Sequence, residues 1–384
     1  MATRRVRRIQ HGGFSWLFLA ILTGLCAGSP QASAGPDDPL RGKWVLDPDG
    51  DAVGPQGIGR GLQPSGLAFR DGEVWSIGDQ RSEFHGHLLR IDPESGRLVG
   101  SPLKIEVPAA TEGENPHFAT YRRTPRVDFE GLDFHPSDSN LLYAVTEDKV
   151  PWVAEIRLYP EGPTAEGPTI RPRITHLAEI RFPEGISPWR GDSNSGVEGI
   201  ALSDDAQTVY LTFERAHDGL PRIFEASLDD VRSNRSILVR EVSIAFDKLP
   251  PRDDKGRARL NLNDVQFLRR NKRPYLLVVA RDQERLAWVD LEAREVVHLL
   301  DLRLRDPAGD SIFWVSPEGV TFDVEGDTLW VVNDPDSVWG NYRRRGDKKA
   351  KGRYGDYVPL LFEMKLSAAL RGIPGRAENE VKDK

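Results

Sequence analysis

The sequence holds one cysteine and two methionines among 384 residues. A single thiol excludes a disulfide scaffold, a cysteine-built zinc site and an iron–sulfur cluster. Positive charge is in deficit, with 52 lysines and arginines against 59 acids and a formal charge of −7. That balance argues against nucleic-acid binding, which needs a basic face. Familiar catalytic signatures are missing as well. There is no G-x-S-x-G elbow, no H-E-x-x-H, no P-loop and no dinucleotide fingerprint. Gly191-Asp192-Ser193 is a three-residue match in a loop and reads as chance. What is plentiful is glycine (36) and proline (28), with 39% hydrophobic residues. These suit a turn-rich β protein with its own core better than a disordered chain or a helical bundle.

Residues 1–34 read as a secretory signal. Arg4, Arg5, Arg7 and Arg8 form a positive n-region, Phe14–Ala27 an apolar h-region, and Ala32-Ser33-Ala34 a small-x-small cleavage site. A retained membrane anchor is the alternative reading. Cleavage near Gly35 would remove four arginines and Cys26, which takes the charge from −7 to −11. The exported protein, periplasmic or extracellular, would then hold no thiol and no stable membrane span. Residues 35–384 show no linker or composition break, so a single monomeric domain is expected.

The chain repeats itself. Ser65-Gly-Leu-Ala-Phe69, Glu130-Gly-Leu-Asp-Phe134, Glu198-Gly-Ile-Ala-Leu202, Asn263-Asp-Val-Gln-Phe267 and Glu318-Gly-Val-Thr-Phe322 share one pattern, with starts 65, 68, 65 and 55 residues apart. Each is followed by a polar turn and a second β-rich run: Val74–Gly78, Leu142–Thr146, Val209–Phe213, Tyr275–Ala280 and Thr328–Val332. Alternating β-branched and aromatic residues on both sides of a turn predict antiparallel hairpins. A third strand follows in every unit and a fourth in most, for example Ile237–Ile244 and Glu295–Leu302. The expected fold is all-β, a β-propeller of four-stranded antiparallel blades. Five repeats are visible, and a sixth blade could hide in the long connections. The run Lys43–Asp47 could supply the strand that the fifth unit lacks and close the ring. A β-sandwich is the rival fold, but it does not account for matched hairpins at near-constant spacing.

In a hairpin, the start of the first strand and the end of the second share an edge. The starts carry Ser65, Glu130, Glu198, Asn263-Asp264 and Glu318; the ends carry Asp79, Glu147, Glu214, Asp282 and Asn333-Asp334. If the first strands line a central channel, one mouth of it is ringed by carboxylates. Acids so close raise each other's pKa unless a cation neutralises them. Oxygen donors without a histidine or cysteine cluster favour Ca²⁺ over zinc. Single acids of this kind also cap turns or lie in solvent; it is their recurrence at two positions that points to a site. The long connections gather on the same face, where binding loops usually reside. The longest, 335–356, is basic and includes Arg343 and Arg344. His85 and His87 read as a surface pair.

Asn194-Ser-Gly-Val-Glu198-Gly-Ile-Ala-Leu202, followed by Thr208-Val-Tyr-Leu-Thr-Phe-Glu214-Arg215, resembles the N-x-G-[FV]-E-G-L-A … L-Y-x-x-x-E signature of the "esterase-like activity of phytase" domain, the phytase-like family. Pro64-Ser65-Gly66-Leu67 with Asp79, Val127-Asp128-Phe129-Glu130-Gly131 with Glu147, and Glu318-Gly-Val with Asn333-Asp334 are similar to its other repeats. The resemblance covers most of residues 60–366. The SdiA-regulated family, with related Glu-Gly repeats, is a second candidate. The fourth repeat departs from the pattern, with Asn263-Asp264 for Glu-Gly and Ala280-Arg281-Asp282 for Glu-Arg. The resemblance implies a secreted propeller, calcium binding, and hydrolysis of phosphate or other esters. The Arg-His-Gly motif of histidine acid phosphatases is absent, so a phosphohistidine route is excluded. On this reading Glu130, Glu198, Glu318 and Asn263 are candidate Ca²⁺ ligands. Glu147 and Glu214 are candidate general bases. Arg215, Arg343, Arg344, Asp79 and Asp334 are candidate contacts to a small phosphorylated or ester substrate. A non-catalytic binding propeller of the cell envelope, with a structural metal, is the alternative.

Overall fold

The computed structural model describes residues 39–50, 61–80, 82–109, 115–124, 127–164, 167–186, 196–233, 235–249, 260–312, 315–335, 358–371 and 373. The expected signal segment, the Gly191–Ser193 match and the basic residues of the 335–356 loop lie outside them. Five sheets form five blades of a propeller. The innermost strands are Pro64–Arg70, Phe129–Phe134, Val197–Leu202, Val265–Arg270 and Pro317–Asp323, in blades 1 to 5. Each pairs antiparallel with the next strand of the chain, as the repeats predict. The hairpins of blades 1 and 4 turn on Asp71-Gly72 and Asn271-Lys272. All four residues have positive φ, the tight two-residue turn whose twist matches that of its strands.

Leu40–Trp44 pairs antiparallel with Leu360–Lys365 as the fourth strand of blade 5, so the N-terminal run closes the ring from the other end of the chain. The run Ile237–Ile244 does not form one strand. Ser236–Leu238 adds in parallel to the outer edge of blade 2, and Arg240–Val242 completes blade 3. Leu304–Arg305 adds to the edge of blade 5 in the same way. Both additions cover a sheet edge that would otherwise offer unpaired backbone groups.

Five apolar clusters fill the five gaps between neighbouring blades. Trp75 and Phe134 meet edge-on between blades 1 and 2, Phe213 and Phe224 lie between 2 and 3, and Tyr210 stacks on Phe267 between 3 and 4. Trp288 fills the gap between 4 and 5 and donates its indole N–H to the Ala369 carbonyl at 3.0 Å; Phe69 stacks on Trp330 between 5 and 1. Because a blade has a neighbour on each side, its strands are buried on both faces. Runs such as Leu141–Thr146 and Val197–Leu202 are therefore buried at every residue. Among the described residues, no helix is long and apolar enough to cross a membrane.

Candidate functional site

The Glu-Gly pairs explain the centre of the ring. In blades 2, 3 and 5 the register slips by one residue between Phe129 and Gly131, Val197 and Gly199, and Pro317 and Gly319. Glu130, Glu198 and Glu318 are thus the extra residues of β-bulges. A bulge leaves its residue out of the ladder and re-aims the side chain. The glycine that follows lets the inner strands touch. A Cβ on Gly131 would lie 2.6 Å from the Cα of Gly199, one on Gly199 2.7 Å from the Asn263 carbonyl, and one on Gly319 2.8 Å from the backbone of Gly66. Blade 4 has Asp264 in that place. Its Oδ2 accepts the N–H groups of Leu67 at 2.8 Å and Val320 at 2.9 Å, so this carboxylate ties three blades together.

The acids meet at one mouth. Asn263 donates its side-chain amide to Glu198 at 3.1 Å and to Glu318 at 2.7 Å, which places three of the four candidate ligands in one network. Glu130 lies with Asp128 and Glu147, and Glu147 lies also with Glu198 and Glu214; in each trio the nearest oxygens are within 4.8 Å of one another. Glu147 accepts the Gly196 N–H at 2.6 Å, and Glu214 accepts the Asn261 amide at 3.0 Å. Asp79 lies near Asp128, Glu130 and Glu318. Asp334 lies 3.8 Å from Arg281, and Arg215 lies 3.6 Å from Glu214. Arg343 and Arg344 fall outside the described residues. His85 and His87 bond to the backbone of their own turn.

Three contributors escaped the sequence reading. Arg281 stands 3.1 Å from Glu318. The strand of blade 4 ends at Ala280, so Arg281, not Asp282, takes the position that is acidic in the other four blades. Asp282 instead donates its backbone N–H to Asn261. Asp128, two residues before Glu130, had a signal, since it stands inside the repeat motif Val127-Asp128-Phe129-Glu130-Gly131. Asn261 had none, because its partner Glu214 is 47 residues away.

Burial dominates the electrostatics. It raises Glu130, Glu147, Glu198 and Glu318 well above the ordinary value of 4.5. Neighbouring carboxylates add to this at Glu130 and Glu198, while the Gly196 N–H opposes it at Glu147 and Arg281 opposes it at Glu318. Burial also raises Glu214, against the pull of Arg281 and Arg215, and lifts Asp148 to about 6. Burial works against the charge of Arg281, but the surrounding acids outweigh it and keep the guanidinium protonated. Among the described residues, Glu147 Oε2, Glu198 Oε1, Glu214 Oε2 and Asn263 Oδ1 of this network are buried acceptors without a hydrogen-bond partner. Orphaned buried acceptors are costly, and a cation or a proton satisfies them.

The family model of the phytase-like family, described as "esterase-like activity of phytase", matches residues 60–337. The chain belongs to this family. None of the curated proteins matches it. Among solved structures it is similar to regucalcin, a calcium-binding protein of Agrobacterium tumefaciens, at 12% identity and a TM-score of 0.44, over 87% of this chain and 94% of that one. It is similar also to glutaminyl cyclase of Myxococcus xanthus, at 14% identity and a TM-score of 0.37, over 85% of this chain and 97% of that one. The matched segment of the phytase-like family begins just before the innermost strand of blade 1 and ends just after the second strand of blade 5.

Proposed function

We propose that this phytase-like propeller is an exported hydrolase of phosphate or other esters that works with Ca²⁺ at the acidic mouth. The observation that carries the reading is the set of four buried acceptors without donors. They are all oxygens, which suits a hard cation. Glu147, Glu198 and Glu214, the trio that carries the orphaned carboxylate oxygens, would hold it beside Asn263. When bound, such an ion polarises an ester oxygen and offsets charge that develops on it. The chain's own groups supply the rest. Arg281 and Arg215 offer positive charge to an anionic ester at the rim. With one oxygen of each on an N–H and the other left for the ion, Glu147 and Glu214 would serve as its ligands rather than as general bases.

Adding Ca²⁺ at a hundredfold excess over its Kd is expected to stabilise the chelator-treated protein by about 2.7 kcal/mol. The thermal midpoint should rise and hydrolysis of phosphate monoester and lactone substrates should appear together. An unchanged midpoint would remove the cation from the proposal. Deep burial favours a second reading: Glu198 and Glu214 are each only 4% exposed. A sealed ion would then be structural, and the propeller a non-catalytic binding protein of the cell envelope. A rise in midpoint without turnover of any ester would select it. In either case we expect a monomer that does not bind nucleic acid. Export rests on the 1–34 segment, and N-terminal sequencing of exported protein should begin near Gly35.

A further inference from the structure

We infer that the mouth takes two divalent cations, bridged by Glu147. This deepens the cation reading above and rests on it. Among the described residues, the carboxylates that could hold an ion fall into two trios, Asp128–Glu130–Glu147 and Glu147–Glu198–Glu214, not into one set of five. Oxygens bound to one Ca²⁺ at about 2.3–2.6 Å cannot lie more than about 5 Å apart. Each trio meets that limit, since its oxygens lie within 4.8 Å of one another, and the two share only Glu147.

Glu147 is placed to serve both. It follows the second strand of blade 2, whose inner neighbour carries Glu130. Its Oε1 is fixed on the Gly196 N–H that opens the innermost strand of blade 3, and its Oε2 is buried without a partner. In the second trio Glu198 Oε1 and Glu214 Oε2 are orphaned in the same way. In the first, Asp128 is oriented by the backbone N–H and the side-chain amide of Gln80.

Charge points the same way. Arg281 pairs with Glu318 at 3.1 Å and Arg215 lies near Glu214 at 3.6 Å, on the side of blades 3 to 5. Among the described residues, no lysine or arginine pairs with Asp128, Glu130 or Glu147. An ion on the second trio alone would leave Asp128 and Glu130 without a positive partner among the described residues, and a buried charge left unpaired is strongly unfavourable.

The test is stoichiometry. Chelator-stripped full-length protein is dialysed to equilibrium against Ca²⁺ alone, and bound metal is measured by atomic emission. Wild type is expected to bind two ions per chain. Asp128→Asn and Glu214→Gln should each keep one. Glu147→Gln should weaken both, each by about tenfold or more. Where Glu147→Gln does not fold by circular dichroism, Glu147→Asp, which shortens the bridge, takes its place with the same expectation. One ion in wild type overturns the pair and leaves the single-cation reading standing. No bound ion overturns both. Loss of all metal in folded Asp128→Asn overturns the division into two trios.

Discussion

Glu198→Gln is expected to abolish Ca²⁺-dependent ester hydrolysis while making the metal-free protein more stable. The two effects share one cause. Glu198 is buried against Glu147, Glu214 and Glu318, so its charge is unfavourable in the folded chain until a cation offsets it. Glutamine keeps the shape and removes the charge. An ion supplies several kcal/mol of transition-state stabilisation, so its loss should lower kcat/KM by about a hundredfold or more. The sign of the pH dependence follows from the same burial. Folded-state pKa values above the ordinary 4.5 mean that the folded chain holds more protons than the unfolded one in that window. Chelated wild type should therefore gain stability as pH falls toward 4.5, and Glu198→Gln should gain less. Thermal melts with chelator across this range check it. A variant that is less stable than wild type without metal would show that the carboxylate holds the fold by itself.

Gly199→Ala is expected to be among the most damaging single-methyl changes in the molecule. The new Cβ would meet Thr212 Oγ1 at 2.6 Å, the Asn263 carbonyl at 2.7 Å and the Asp264 Cα at 2.8 Å. Two of these are backbone atoms of the next blade and cannot rotate away. Overpacking of this kind costs about 1–3 kcal/mol, and the upper end applies where backbone must move. Because Asn263 and Asp264 are the displaced residues, Ca²⁺ affinity should fall with the thermal midpoint. A midpoint and affinity equal to wild type would mean that the inner strands separate freely, contrary to the close contact at Gly131, Gly199 and Gly319.

Much of the architecture was legible because the repeats carry it locally. A hairpin needs only alternation and a turn, and both lie within about fifteen residues of chain. The closing strand was legible too, since the fifth unit lacked one and Lys43–Asp47 remained; the structure uses Leu40–Trp44. The split at Leu238 was not legible. Ser236–Leu238 pairs with Glu179–Arg181, and a partner that distant leaves no periodic mark in either segment.

The site divides in the same way. Repeat position marked Glu130, Glu198 and Glu318, and the ring geometry turned that into nearness. The assignment of Asp282 to the blade 4 rim was off by one residue, because a strand end fixes register only once its partner is placed. Arg281 occupies the rim instead, so the ring of acids is interrupted by one guanidinium.

By itself the sequence determined the five hairpins, the acids at their shared edge and a membership in the phytase-like family. Each of these is written in short-range pattern. Only the tertiary structure decided that Glu147 stands between two trios, that Arg281 neutralises Glu318, and that Gly199 touches the backbone of the next blade. Those facts depend on the distance between neighbouring blades, which is set by the five apolar clusters packed between them and not by any residue's place in its own repeat.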